Sequence, residues 1–140
     1  MSGLWFVLIL AMKIMLASGD SYLKATIENI VEQNSNVSFI FQDDFEPVKI
    51  LSNFLNEQPS ILIIDDDYLT PGTLSILESI YKLNKKSKII FTTSDVSIEL
   101  GKQVSQLGIY FYAIKPINKD EFIELLDSVI NHNKQKYNLN

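Results

Sequence analysis

Three kinds of polar side chain, which could form one charged site, occur where hydrophobic segments end. The carboxylates of Asp65 to Asp67 follow the apolar run Ile61 to Ile64, and a hydroxyl (Thr93) and an ammonium (Lys115) end two later apolar runs. Adjacent carboxylates repel one another unless a cation or an ammonium offsets their charge. A charged site is one interpretation, and a solvated Asp-rich turn is the other.

The position of these residues depends on the strand that precedes the aspartates. Ile61 to Ile64 lack the apolar–polar alternation of a half-solvated strand, which predicts the centre of a parallel sheet covered on both faces by helices. The aspartates then lie at the carboxyl edge of that sheet. Open α/β sheets bind their ligands at this edge.

The remaining chain alternates short strands with amphipathic helices. The other predicted strands are Lys13 to Ala17, Asn36 to Gln42, Lys88 to Thr93 and Tyr110 to Ile114. The predicted helices are Asp20 to Gln33, Pro47 to Asn56, Gly72 to Leu83, Ser97 to Leu107 and a last one that begins with a capping box, Asn118 with Glu121. Five βα units with short right-handed crossovers predict an α/β fold with a doubly wound, five-stranded parallel sheet of the flavodoxin-like (βα)5 type.

Hydrophobic spacing predicts which side of each helix faces the sheet. For the second helix the predicted inner face is Val48, Leu51, Phe54 and Leu55. For the third helix it is Leu74, Leu77, Ile80 and Tyr81.

Composition restricts the classes of function. With 140 residues, 46% hydrophobic and 21% charged, the chain is long enough for one domain with a real core. A net charge of −5 argues against a nucleic-acid-binding surface, which needs clustered Lys and Arg. The absence of Cys excludes disulfides, thiolate zinc sites and Cys nucleophiles, and His132 is the only His. The predicted organisation is a hydrophobic extension (residues 1–11), one domain (12–131) and a polar tail (132–140).

The hydrophobic extension differs from the rest of the chain. Leu4 to Met12 is nine apolar residues, well short of the roughly 20 that span a bilayer. A signal peptide is the alternative, because Leu16 to Gly19 resembles a small-residue cleavage site, although no Lys or Arg precedes the apolar run. We expect an extension upstream of a domain that begins near Met12, and a secreted or membrane-tethered domain is the weaker alternative.

Three stretches resemble the receiver domain of two-component response regulators. The chain's Q-P-S-I-L-I-I-D (58–65) is similar to the family's P-D-L-V-L-L-D, and I-I-F-T-T-S (89–94) to its strand ending in Thr or Ser. G-I-Y-F-Y-A-I-K-P (108–116) resembles G-A-x-D-Y-L-x-K-P, and the likeness extends from Met12 to about Asn131. The resemblance implies that a histidine kinase or phosphotransfer protein phosphorylates one aspartate. It implies these roles: Asp65 as phosphoacceptor, Thr93 and Lys115 as ligands of the phosphoryl oxygens, Tyr112 as aromatic switch and Pro116 as cis-proline.

One stretch departs from the family pattern. K-I-M-L-A-S-G-D (13–20) resembles the family's K-I-L-I-V-D-D-E, so Ser18 and Gly19 replace the acidic pair that holds Mg²⁺, and Asp20 stands one place late. Magnesium needs near-octahedral oxygen ligation with at least one or two carboxylates. The resemblance therefore implies a weakened Mg²⁺ site. Its ligands would be Asp65 and the carbonyl of Asp67, with Asp20 or Asp66 contributing through water.

Two functions stay open from the sequence. The first is a stand-alone cytoplasmic phosphoacceptor in a phosphorelay, rather than a true enzyme. The second is a pseudo-receiver that binds proteins independently of phosphorylation. In either case the resemblance implies that a protein partner docks on the face formed by the fourth helix, the fifth strand and the fifth helix, around Tyr112. We expect no output domain after the fifth helix, so any DNA binding is expected to come from a partner.

Overall fold

A parallel five-stranded sheet lies at the centre of the protein. The computed structural model describes residues 12–83 and 86–137. The strands are β1 (Met12–Ala17), β2 (Val37–Gln42), β3 (Ile61–Asp65), β4 (Lys88–Thr93) and β5 (Phe111–Ile114). The helices are α1 (Ser21–Glu32), α2 (Pro47–Glu57), α3 (Thr73–Leu83), α4 (Ile98–Ser105) and α5 (Lys119–Tyr137), and a single helical turn, Asp66–Leu69, follows β3.

The strand order is β2-β1-β3-β4-β5, with every neighbouring pair parallel. The predicted doubly wound, five-stranded sheet is therefore confirmed. Because the strands are parallel, the carboxyl ends of β1, β3, β4 and β5 meet at one edge. This edge carries Ser18, Asp65, Thr93 and Lys115, at or directly after those strand ends.

Two hydrophobic cores, one on each face of the sheet, hold the layers together. Ile61 and Ile63 belong to the core under α1 and α5, whereas Leu62 and Ile64 belong to the core under α2, α3 and α4. Every residue of β3 is fully buried. Burial on both faces explains why the β3 sequence lacks apolar–polar alternation.

Two predicted helix faces were partly wrong. In α2, Val48 and Leu55 are 75% and 48% exposed, and Ile50 lies in the core with Phe54 instead. Both sets of residues fit a helical repeat and both contain Phe54, and packing against the sheet selects the stripe that also contains Ile50. In α3, Tyr81 is 36% exposed because it lies at the rim of the core.

Helix α5 continues beyond Asn131 to Tyr137, into the segment predicted as a polar tail. No Gly or Pro in residues 131–137 stops it. His132, the only His, is exposed. Predictions for residues 1–11 lie outside the described residues. Within the described part of the chain, no helix combines the length and apolar character needed to cross a membrane.

Candidate functional site

Asp65 lies at the end of β3 and is fully buried, with hydrogen bonds to both carboxylate oxygens. Its Oδ1 accepts the backbone N–H of Asp67 at 3.2 Å, which caps the helical turn after β3. Its Oδ2 accepts the Ser18 hydroxyl at 2.6 Å and the Lys115 ammonium at 2.8 Å. Ser18 stands where the family has an acidic residue, and here it is a hydrogen-bond donor to Asp65. No spacing pattern in the sequence indicates this role.

Lys115 contacts three carboxylates at once. Its Nζ lies 2.8 Å from Asp65 Oδ2, 3.2 Å from Asp67 Oδ2 and 3.3 Å from Asp20 Oδ2. We call these four residues the Lys115 cluster. Burial alone would lower the pKa of Lys115, but the bonds and charges of Asp65, followed by Asp67 and Asp20, raise it well above its ordinary value. The cluster therefore holds Lys115 fully protonated.

Asp20 joins the Lys115 cluster while it caps α1. Its Oδ1 accepts the backbone N–H groups of Tyr22 at 2.9 Å and Leu23 at 3.1 Å, so it is the N-cap of the helix. Burial raises the pKa of Asp20, but the bond from Leu23 and the contact with Lys115 outweigh burial and lower the pKa below its ordinary value. Ser18 links this cap to Asp65, because its hydroxyl oxygen accepts the Asp20 N–H at 2.9 Å.

Asp67 is held by Ser94 as well as by Lys115. The Ser94 backbone N–H donates to Asp67 Oδ1 at 2.9 Å, and its hydroxyl donates to Oδ2 at 2.6 Å. Burial raises the pKa of Asp67, but these two bonds and the Lys115 charge bring it below its ordinary value. Ser94 directly follows the hydroxyl residue that ends β4, and sequence reasoning gave it no role.

Thr93 contacts Asp66 rather than Asp65. Its hydroxyl donates to Asp66 Oδ2 at 2.9 Å and accepts the Asp95 N–H at 3.0 Å. Both Thr93 and Asp66 are buried. The predicted site residues Asp65, Thr93 and Lys115 thus lie at one edge of the sheet, with Thr93 on a separate hydrogen-bond network beside the Lys115 cluster.

Tyr68 covers the Lys115 cluster from the outside. Lys115 Nζ lies 5.6 Å from the centre of the Tyr68 ring, which also packs on Phe45 with ring centres 5.6 Å apart. A Cβ built at Gly19 would lie 2.6 Å from Tyr68 Cε1. The ring therefore occupies the space into which a side chain at position 19 would project. The only sequence sign of this contact is a glycine where the family has an acidic residue.

Tyr112 lies on β5 with its ring stacked on Phe91, the two ring centres 5.0 Å apart. Its hydroxyl is buried and has no hydrogen-bond partner among the described residues. Burial, followed by the charges of Asp95 and Asp66, raises the pKa of Tyr112. Tyr112 is therefore a neutral phenol between the hydrophobic core and the acidic edge of the sheet.

The end of β5 aims Lys115 into the site. The Lys115 backbone N–H donates to the Thr93 carbonyl at 2.8 Å, which continues the ladder between β4 and β5. The Lys115–Pro116 peptide bond is cis. The backbone hydrogen bond to Thr93 places Lys115 at the edge of the sheet that carries the carboxylates.

The carboxylates of this edge do not fit Mg²⁺ as they stand. Magnesium requires near-octahedral oxygen ligation with short metal–oxygen distances. No group of three His, Cys, Asp or Glu residues in the described ranges has the geometry of a metal site. Asp65 Oδ2 is occupied by a hydroxyl and an ammonium, Asp66 Oδ2 by Thr93, and Asp67 by Ser94 and Lys115.

No protein-family model and no curated protein sequence matches the chain. Solved structures do match. A response regulator from Thermotoga maritima has a TM-score of 0.70 at 16% identity, with 86% of this chain and 98% of that chain covered. The signal receiver domain of an HD domain-containing protein from Pseudomonas fluorescens has a TM-score of 0.72 at 17% identity, with 89% and 98% covered.

A third similar structure is a two-component response regulator of the LuxR family from Aurantimonas, at 13% identity and a TM-score of 0.69, with 87% of this chain and 86% of that chain covered. The chain has the receiver fold. At these identities the likeness concerns the fold, and the predicted resemblance is confirmed at that level. What the receiver fold does in this chain depends on its own side chains.

Proposed function

We propose that this receiver-fold chain is a signalling module that docks a protein partner on the face formed by α4, β5 and α5, independently of phosphorylation. The observation that carries the proposal is exposed apolar area on that face. Val96 in the loop before α4 and Ile98 at the start of α4 are 74% and 77% exposed, and Phe111 and Ile114 on β5 are 39% and 45% exposed. Exposed apolar side chains that cluster in one region are typical of protein-binding surfaces.

Strand β5 supports docking because it lies at an edge of the sheet. Within the described residues it pairs with β4 alone, so its outer backbone groups are free of a neighbouring strand. Such an edge accepts a strand or a loop from a partner. A groove beside it, between β5 and the start of α5, is lined by Phe111, Ile114, Ile117 and Phe122.

Independence from phosphorylation is supported by the Lys115 cluster. Asp65 is fully buried, and Ser18, Asp67 and Lys115 already donate to its two oxygens. The Lys115 ammonium offsets the charge of the Asp65 carboxylate. A phosphoryl donor would have to displace at least one of these bonds before it could reach a carboxylate oxygen.

A site-specific photo-crosslinker tests the docking face. Placed at Ile98 in the full chain and irradiated in the source cells, it should form a defined protein adduct, and the same adduct should form when Asp65 is replaced by Asn. Val48 on α2 is the control, because it is also a highly exposed apolar residue (75%) but lies on a different helix. Equal adducts from both positions, or loss of the Ile98 adduct in Asp65→Asn, would contradict the proposal.

The second candidate function is phosphoacceptance at Asp65 from a histidine kinase or phosphotransfer protein, in a cytoplasmic phosphorelay. The convergence of Asp65, Thr93 and Lys115 at one edge of the sheet favours it. Lys115 and Thr93 would bind the phosphoryl oxygens, and Tyr112 would respond to the change. A bound Mg²⁺ would offset charge there, held by Asp65 and the Asp67 carbonyl after the carboxylates rearrange.

Labelling with a small-molecule phosphodonor separates the two functions. The phosphorylation-independent module should show no label above that of Asp65→Asn, with or without Mg²⁺. Label that depends on Mg²⁺ and disappears in Asp65→Asn would establish the second function instead.

A further inference from the structure

We propose that Lys115 is the resident cation of this site, and that its ammonium excludes a divalent cation from the carboxylates of Asp20, Asp65 and Asp67. The proposal deepens the phosphorylation-independent function, but its test involves neither docking nor labelling. It explains how three acidic side chains lie within 3.3 Å of one ammonium at this edge of the sheet.

The first support is that all six oxygens of the three carboxylates accept hydrogen bonds. For Asp65, Oδ1 accepts the Asp67 N–H, and Oδ2 accepts Ser18 and Lys115. For Asp67, Oδ1 accepts the Ser94 N–H, and Oδ2 accepts the Ser94 hydroxyl and contacts Lys115. A divalent cation would therefore have to compete with these donors for the carboxylate oxygens.

The same holds for Asp20, whose Oδ1 accepts two N–H groups of α1 while its Oδ2 contacts Lys115. Turning this carboxylate toward a metal would uncap the helix. Loss of an N-cap destabilises a helix. Asp20 thus has a structural role that competes with ligation.

The second support is electrostatic. Lys115 Nζ lies within 3.3 Å of an oxygen of each of the three carboxylates. A divalent cation bound to the same oxygens would lie a few ångströms from this ammonium, where like charges repel strongly in a partly buried site.

The third support is steric. Tyr68 fills the space beside Gly19 and is itself held by Phe45. The aromatic ring therefore stands over the ammonium, on the side from which a side chain at position 19 would reach a metal. The ammonium and the ring together occupy space that a metal and a ligand at position 19 would need.

The exclusion of a divalent cation can be tested by NMR of the ¹⁵N-labelled full chain, with Mn²⁺ as a paramagnetic substitute for Mg²⁺. In the unmodified protein, Mn²⁺ should broaden the amide signals of Ser18, Asp65 and Ser94 no more than those of exposed acidic residues elsewhere. The Lys115 ammonium signal should also be visible and should not shift with Mg²⁺. Selective broadening at these amides, or a shift of the ammonium signal, would overturn the proposal without any variant.

Removing the ammonium should create the missing site. In Lys115→Met, Mn²⁺ should bind at the same amides with a dissociation constant at least about tenfold lower than in the unmodified protein. The matched control is Lys119→Met, which removes an exposed lysine four residues along the chain and should behave as the unmodified protein. A folded Lys115→Met chain that gains no affinity, or an equal gain in Lys119→Met, would overturn the proposal. If Lys115→Met does not fold, the Mn²⁺ broadening and the ammonium signal of the unmodified protein still test the proposal.

Discussion

At the residue scale, one ammonium contacts three carboxylates that come from two separate segments of the chain. Asp20 begins α1, Asp65 ends β3 and Asp67 lies in the turn that follows, while Lys115 comes from the end of β5. Buried charges are tolerated when they are paired and hydrogen-bonded. The Lys115 cluster therefore ties together segments that are up to 95 positions apart in the sequence.

The pH dependence of stability should follow from this cluster. Asp20 and Asp67 have a folded-state pKa below the ordinary value of 3.8, so their contribution is present above that pKa and is lost as pH falls through the lower, folded value. Lys115 has a raised pKa, so its contribution is present below its ordinary 10.5 and is lost at higher pH. The free energy of unfolding should be level between about pH 5 and 9 and fall on the acid side below about pH 4.

Urea unfolding across this pH range checks the expectation. Asp67→Asn should be less stable at neutral pH and should lose less on acidification than the unmodified protein. Asp44 is the control: its pKa is also lowered, by Lys49, but both side chains are largely exposed. Solvent screens such a pair, so Asp44→Asn should lose nearly as much stability on acidification as the unmodified protein. If the free energy of unfolding of Asp67→Asn fell as steeply at acid pH as that of the unmodified protein, the role of the Lys115 cluster would be contradicted.

The contact between Gly19 and Tyr68 gives a second prediction at this scale. Gly19→Ala should destabilise the protein by about 1 kcal/mol, because the new Cβ must displace the Tyr68 ring. In a Tyr68→Ala background the same change should cost nothing. Thermal unfolding of the four proteins of this double-mutant cycle measures the coupling. A coupling free energy near zero would mean that the ring moves aside freely.

This contact also shows why part of the site could not be predicted. The types and spacing of Asp65, Thr93 and Lys115 were sufficient to bring them to one edge of the sheet. The contacts of Ser18, Tyr68 and Ser94 depend on side-chain directions in the loops, which a spacing pattern does not contain. The pairing of Lys115 with three carboxylates depends on the same side-chain directions, so the sequence alone could not predict it.

At the element scale, strand and helix positions were predictable because each has its own hydrophobic period and its own end signals. The limits of β4 match the prediction, and α4 begins one residue after its predicted start, Ser97, which is its N-cap. The helical turn Asp66–Leu69 was not predicted, because four residues are too few to show a period. The inner face of α2 was mispredicted because two stripes fit one period.

Two glycines near α4 should respond in opposite ways to the same substitution. Gly101 lies inside α4 with open space around it, so Gly101→Ala should stabilise the protein by about 0.5–1 kcal/mol. Gly108 follows the helix with a φ of +70°, a conformation that costs an Ala about 1 kcal/mol or more, so Gly108→Ala should destabilise. Chemical denaturation of both variants checks this pair, and effects of the same sign would refute it.

At the scale of the whole molecule, the proposed docking face draws on both hydrophobic cores. Helix α4 packs through Val104 into one core, and α5 packs through Leu126 into the core on the other face of the sheet. Strand β5 lies between them and is paired with β4. Both cores therefore hold the docking face in place, and the geometry of the face depends on both cores being intact.

Truncations on the two sides of the sheet should reveal one cooperative unit. Phe54→Ala should cost about 3–5 kcal/mol and Leu126→Ala about 2–5 kcal/mol, because both side chains are fully buried. The two lie in different cores, so their effects should add within about 0.5 kcal/mol in the double variant. Far- and near-UV circular dichroism should give coincident unfolding transitions for every variant that remains folded. Since the two cores share one sheet, neither should melt first, and two separated transitions would show instead that the two halves of the docking face are stabilised independently.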